Sequence, residues 1–207
     1  MKLYHYWRSS SSWRVRWALA LKKVPCEFFA IDLLADTPSD HLLRHPLGYV
    51  PVLEYDDGRY LAESMAILEW LEETHPSPSL FWGDPWNRAQ ARALAEIIVS
   101  DTQPLQNLDP QLHHSDDPKE RLLWAQHWTR RGLAAFQAVA SCTHGVFSVG
   151  NQLTVADLCL VPQVYNAHRQ EIDVEREFPL VHAISKAALA TESGLASHPD
   201  RFAPKPL

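Results

Sequence analysis

The chain has little of what would tie it to a specialised environment. Only three of its 207 residues are cysteines, Cys26, Cys142 and Cys159. Odd in number and far apart, they make no disulfide framework and point to a reducing cytoplasm. No apolar run approaches the ~18 residues a membrane span needs. The amino terminus, Met-Lys-Leu-Tyr-His-Tyr, alternates and is polar, unlike a signal peptide. Basic charge is in deficit: 19 Lys and Arg against 25 Asp and Glu leave −6. That excludes a general nucleic-acid face, and any anion site must be local. A metal set is missing as well. His41 and His45 stand four apart, but Pro46 follows at once and no carboxylate or cysteine completes the group. His113-His114, in a polar loop, carries no spacing signal.

What remains is an ordinary globular composition, 46% hydrophobic and 21% charged, long enough for one large domain or two small ones. Lys2 to Trp7 alternates like a strand. Ser12 to Lys23 has helical spacing, with Lys22 and Lys23 at its end and Pro25 stopping it. Cys26 to Leu33 is β-like, and Thr37 to Arg44 is a short helix closed by Pro46 and Gly48. Val50 to Tyr55, the turn Asp56-Asp57-Gly58 and Arg59 to Leu61 form a hairpin. Glu63-Ser64 opens a helix with Met65, Ile67, Leu68, Trp70 and Leu71 as its apolar stripe. This strand–helix–strand, hairpin–helix order is the thioredoxin-like pattern, expected over residues 1–78. A proline-rich linker, "HPSPSLFWGDP", follows.

Beyond Trp86 the pattern is helical throughout, giving an all-helical domain over 87–207. Helices are expected at Asn87 to Gln106, Pro118 to Ala140, Thr154 to about Asn166 and Pro179 to Ala190. Thr154-Val-Ala-Asp157 is a capping box that makes Asp157 a cap rather than a catalyst. The Trp13/Trp17 and Trp124/Trp128 pairs read as core or interface.

The candidate chemistry lies at the strand–helix junctions. "YWRSSSSWRVR" places Arg8 to Ser11 where a helix begins, with unpaired N–H groups and a positive dipole end. Such a place attracts an anion, and serine hydroxyls add donors. Glu63-Ser64 is a second junction, whose hydroxyl and amides can hold a carboxylate while Glu63 meets an ammonium. Tyr49-Val50-Pro51-Val52 is a third. A proline at a strand start suits a special turn, such as one built on a cis bond, that leaves backbone groups for a peptide. Each feature alone reads first as a cap or a strand edge. Together, at matching junctions of one fold, they suit a small zwitterionic peptide with its thiol near the serines.

"RSSSSWRVRWALALK", "HPLGYVPVLEYDDG", "LAESMAILEWLEETHPSPSL", "QPLQNL" and "LTVADLCLVPQVYNAHR" resemble the motifs of zeta-class glutathione transferases, the maleylacetoacetate isomerases, over nearly the whole chain. The resemblance implies a glutathione transferase fold: a thioredoxin-like domain followed by a helical bundle that contributes the substrate site. It implies a glutathione-dependent, dimeric, cytosolic enzyme that isomerises maleylacetoacetate to fumarylacetoacetate in tyrosine and phenylalanine breakdown. Ser9 and Ser10 match the serines near the glutathione sulfur. Glu63 and Ser64 match the pair holding the γ-glutamyl end, although Gln is frequent at the first position. Val50 matches the residue that pairs with the cysteinyl backbone. Gln103, Gln106 and Asn107 fall in the helix lining the active site, and Arg169 matches an arginine that receives a substrate carboxylate.

Two departures stand out. Ser11 occupies the position where the family usually has cysteine, so a hydroxyl replaces any thiol there. The segment between Ile31 and Pro46 is short, and a glutathione-contacting glutamine has no match; His41 and Lys22 are not safe replacements. Arg8 joins Arg169 as a candidate clamp for the dicarboxylate-like substrate. The competing readings are a surface ion pair for Arg8 and a helix C-terminal cation for Arg169. Arg14 and Arg16 are expected to serve structure, reaching acidic partners. The alternatives in function are a maleylpyruvate isomerase, a general glutathione transferase or dehalogenase, and a non-catalytic binding dimer.

Overall fold

The computed structural model describes residues 1–33 and 39–204. The chain forms two compact units, one of Met1–Ser79 together with residues from Thr191 onward, the other of Leu80–Ala190.

The first unit holds a four-stranded sheet in the order β2-β1-β3-β4. Strand β1 (Lys2–His5) runs parallel to β2 (Glu27–Ala30) and antiparallel to β3 (Val52–Glu54), which pairs with β4 (Tyr60–Ala62) as a hairpin. β1 lies inside the sheet and buries Leu3, Tyr4 and His5 in succession, so both its faces are covered. β2 is an edge strand, and its Phe28 and Phe29 remain partly exposed. Helix α1 (Ser10–Leu21) crosses between them, and the short α2 (Ser39–Arg44) precedes β3. The start expected for α2, Thr37, lies outside the described residues. α3 (Ser64–Thr74) follows β4, burying Ile67, Leu68 and Leu71. The expected β-α-β, β-β-α order is present in full.

α1 buries Ser12 to Leu19 without interruption because it is packed by α3 on one side and by α11 (Glu192–Ser197) on the other. That second packing was not expected. The helical domain anticipated over 87–207 gives up its last stretch to the sheet-bearing unit. The physical reason is visible in the indoles: buried Trp N–H groups need acceptors. Trp13 donates to Ser197 Oγ at 3.0 Å and Trp17 to Ser193 Oγ at 3.1 Å. Buried Lys22 closes the other end of α1. Its ammonium meets Glu72 Oε2 at 2.8 Å and the carbonyls of His75 and Pro78 at 2.7 and 2.8 Å.

The second unit is helical: α4 (Pro85–Val99), α5 (Gln103–Gln106), α6 (Leu108–His114), α7 (Pro118–Ala140), α8 (Val155–Arg169), α9 (Val174–Glu177) and α10 (Pro179–Leu189). The single helix expected over Asn87–Gln106 is broken after Val99. Pro104 has no N–H to give a preceding turn and would crowd the carbonyl four residues back. Thr102 Oγ1 instead donates to the Ile97 carbonyl at 2.6 Å. The polar loop assigned to His113-His114 is the end of α6, and His114 lies against Trp124 with ring centroids 4.3 Å apart. α7 has the expected limits, and α8 runs three residues past Asn166. At its head Asp157 accepts from Thr154 N and Ser148 N, both at 2.8 Å, and from Thr154 Oγ1 at 3.0 Å. Burial pushes its carboxyl pKa up against the pull of those bonds. Among the described residues no helix is long and apolar enough to cross a membrane, and no group of three metal-binding side chains occurs.

Candidate active site

The serine run starts α1. Ser9 is the N-cap, with φ −63° and ψ 121°, and its Oγ accepts from Ser12 N at 3.1 Å. Ser10 and Ser11, expected in the preceding turn, lie in the first helical turn. Ser12 is different: fully buried, its Oγ accepts from Tyr6 N at 3.4 Å. The Ser9 bond uses an oxygen lone pair and leaves the hydroxyl proton to donate. The Ser11 amide has no acceptor among the described residues. A hydroxyl proton, an open amide and the positive end of a 12-residue helix thus converge, an arrangement suited to a sulfur anion.

Arg8 stands beside this turn. Its guanidinium lies 4.9 Å from the Trp7 ring centroid and donates to Tyr6 Oη at 3.1 Å. Among the described residues no carboxylate pairs with it, and its buried Nε has no hydrogen-bond partner. The surface ion-pair reading of Arg8 therefore finds no support.

The second junction is tied to the first through Arg14, whose Nη1 donates to Ser64 Oγ at 2.9 Å. Ser64 is buried and again keeps its own proton to give. Glu63 precedes it with φ 67° and ψ 113°, a region costly for a residue with a Cβ and one that recurs at functional sites. Its side chain is 74% exposed. The third feature also has the expected form: the Val50–Pro51 peptide bond is cis, and Val50 makes no backbone hydrogen bond to a described residue. A carboxylate, a hydroxyl and open backbone groups fit the ammonium, carboxylate and amide of a γ-glutamyl tripeptide.

Arg16 corrects one expectation. Among the described residues its partners are not acidic: Nη1 meets His5 Nδ1 at 3.1 Å and the Tyr6 carbonyl at 3.4 Å, and Nη2 donates to the Trp7 carbonyl at 2.9 Å. Burial beside this cation lowers the His5 pKa to about 4. Lys22 and His41 are also structural. His41 Nε2 lies 3.0 Å from the Tyr49 carbonyl.

In the helical unit, Gln103 and Gln106 are buried in α5 and Asn107 is exposed at its end. Gln106 Oε1 accepts from Gln170 Nε2 at 2.6 Å, joining α5 to the end of α8. Arg169, the last residue of α8, is exposed and donates to Asn166 Oδ1 at 3.4 Å. Sequence reasoning gave no role to Tyr6 and Trp7 and weighed His45 only as a metal ligand, yet all three stand beside candidate residues. Tyr6 and Trp7 carried a signal, as aromatics flanking Arg8.

The fold, with three ligand-ready features at its strand–helix junctions, is that of a glutathione transferase. Residues 3–79 match the family model for the glutathione S-transferase N-terminal domain. The chain is 41% identical over 201 residues to "Probable maleylacetoacetate isomerase 2" of Drosophila melanogaster, covering 95% of this chain and 87% of that one. A crystal structure of maleylacetoacetate isomerase from Anaeromyxobacter dehalogenans 2CP-1, with glutathione bound in its active site, is 47% identical with a TM-score of 0.88. The alignment covers 97% of this chain and 95% of that one. The holo structure of a bacterial zeta-class maleylpyruvate isomerase is 34% identical with a TM-score of 0.91, covering 96% and 97%. The chain belongs to the zeta-class glutathione transferases, in the maleylacetoacetate isomerase family.

Proposed function

We propose that the chain is a glutathione-dependent isomerase converting maleylacetoacetate to fumarylacetoacetate, a step of tyrosine and phenylalanine breakdown. The observation that carries this is the start of α1, where, among the described residues, the Ser9 hydroxyl proton and the Ser11 amide stand open beside a cation with no carboxylate partner. Glutathione, when bound, supplies a thiolate that adds to the conjugated double bond, makes it a rotatable single bond and leaves again. The residues must keep that sulfur ionised. A free thiol has a pKa of about 8.5, and lowering it ~2 units takes roughly 2.7 kcal/mol. A hydrogen bond to a charged group gives about 1.5–3 kcal/mol and a helix N-terminus about 0.3–1. Ser9 and the helix suffice, so replacement of the family cysteine by Ser11 is no obstacle.

Glu63 and Ser64 hold the γ-glutamyl end, Val50 the cysteinyl backbone, and Ser10 adds a donor beside the sulfur. Arg8 and Arg169 receive substrate carboxylates, with Gln103, Gln106 and Asn107 lining the helical side. The protein acts in the cytoplasm as a homodimer, over domains of residues 1–78 and 87–190, residues from 191 on completing the first.

A maleylpyruvate isomerase is the second reading, because such an enzyme is 34% identical to this chain and shares its fold with a TM-score of 0.91. The test mixes purified protein, glutathione and maleylacetoacetate and follows the product, with maleylpyruvate in parallel. Turnover of the first compound alone is the expected result. Turnover of the second alone moves the assignment, and turnover of neither discards both.

A further inference from the structure

We infer that His45 is a positioning residue that aims the Glu63 carboxylate at the ammonium group of the bound tripeptide. The inference rests on the glutathione reading of Glu63. His45 follows α2 directly and is 5% exposed. Its backbone is fixed at both ends, His45 N donating to the His41 carbonyl at 2.9 Å and Gly48 N to the His45 carbonyl at 2.8 Å. The imidazole is fixed too. Leu47 N donates to Nδ1 at 3.2 Å, and the Tyr49 ring lies 5.6 Å away between centroids. A backbone N–H can only donate, so Nδ1 is the accepting nitrogen and the ring proton of the neutral form resides on Nε2. That nitrogen lies 3.7 Å from Glu63 Oε1, slightly beyond a hydrogen bond and within the slack that sites close when ligand arrives.

Glu63 needs such a guide. Its carboxylate is 74% exposed on a flexible stem, whereas its backbone is held at φ 67°. A donor N–H that is buried, fixed in tautomer and anchored from behind restricts which rotamers the acid occupies and turns one oxygen toward His45. The other oxygen is left for a cation. Among the described residues Glu63 is the one recorded partner of Nε2, and the turn is closed through Nδ1.

The two ring nitrogens can be tested separately. His45→Asn keeps a short acceptor for Leu47 N but reaches no further. His45→Gln carries an amide N–H out to the Nε2 position and gives up the turn bond. Calorimetric affinities are measured for glutathione and for its desamino analogue, glutaryl-cysteinyl-glycine, which lacks the ammonium. For His45→Asn the expected result is a glutathione Kd raised about threefold to fivefold, the scale of a partly exposed charged pair, with the analogue unaffected. His45→Gln keeps glutathione binding near wild type even where its melting temperature falls. In a Glu63→Gln background, His45→Asn produces no further loss. Should His45→Asn not fold, His45→Ser makes the same comparison. Equal weakening of both ligands, or a greater loss in Gln than in Asn, would reduce His45 to a turn residue and overturn the inference. Wild-type protein that binds neither compound overturns the glutathione reading, and this inference with it; wild-type binding with an unchanged His45→Asn overturns this inference alone.

Discussion

The sharpest consequence of the α1 geometry concerns which serine ionises the sulfur. Ser9 and Ser12 each accept a backbone N–H, yet of the two only Ser9 is placed to donate outward, since Ser12 is wholly buried with its oxygen on Tyr6 N. Ser9→Ala removes one hydrogen bond to a charged acceptor, worth about 1.5–3 kcal/mol, or roughly 1–2 units in the pKa of the bound thiol. The sign is upward, because the lost donor favoured the charged form. With a starting pKa near 6.5, the ionised fraction at pH 7 falls from roughly three quarters to between a quarter and a few per cent. The same substitution removes an N-cap and costs about 1 kcal/mol of stability. Ser9→Thr keeps both functions and should restore both. Ser12→Ala loses an internal bond, so it lowers the melting temperature and leaves the sulfur alone. Ultraviolet titration of the glutathione complex measures the thiolate directly. An unmoved titration in Ser9→Ala, or an equal rise in Ser12→Ala, would refute the assignment of the sulfur to the N-cap hydroxyl.

Three further outcomes follow from packing and charge. A Cβ on Gly132 would lie 2.0 Å from Thr102 Oγ1 and 2.8 Å from its Cγ2. Gly132→Ala should therefore cost about 2–4 kcal/mol through overpacking and the lost Thr102–Ile97 bond, measured by urea unfolding, with partial recovery in Gly132→Ala/Thr102→Ala. Lys22→Met leaves Glu72 facing two carbonyls without its cation and should cost about 3–5 kcal/mol; pairing it with Glu72→Gln should recover part of that in thermal unfolding. His5, with its folded pKa near 4 against an ordinary 6.5, is held neutral. Its contribution is whole above pH 6.5 and is lost as pH falls from 6.5 toward 4, by up to about 3 kcal/mol. Unfolding of His5→Asn compared with wild type at pH 7 and pH 4.5 should show the difference between them shrink at the lower pH.

The junctions were legible because their signals are local. A capping run, a proline before a strand and an Asp-Asp-Gly turn act within a few residues; the proline and the turn were found where the pattern placed them, and the helix start two residues earlier than expected. α7 was legible from end to end for the same reason, with Pro118 at its first position and an unbroken helical period. The losses were of two kinds. Pro104 was read through rather than heeded, so one helix stood for the pair α4 and α5. The return of α11 to α1 had no local signature at all. Ser193 and Ser197 look like surface serines until Trp17 and Trp13, more than 170 residues earlier, are found to need acceptors. Likewise His45, dismissed as a metal ligand, gains a role only when Glu63 is found facing it.

The arginines of "RVR" show how far a motif reaches beyond the residues it appears to mark. Two positions apart on a helix, Arg14 and Arg16 point to opposite sides of α1. One reaches Ser64 at the second junction, and the other takes the Tyr6 and Trp7 carbonyls just ahead of Arg8. A guanidinium offers five donors in a rigid plane, so each arginine holds its target by orientation as well as by distance. Neither needs to touch a ligand to matter. Arg16 fixes the carbonyls leading into the serine turn, and Arg14 fixes the hydroxyl expected to hold a carboxylate. α1 thus carries the open donors at its tip and, from its sides, braces the two segments proposed to hold the tripeptide. This explains why two buried cations sit in a helix where the periodicity alone calls for apolar side chains.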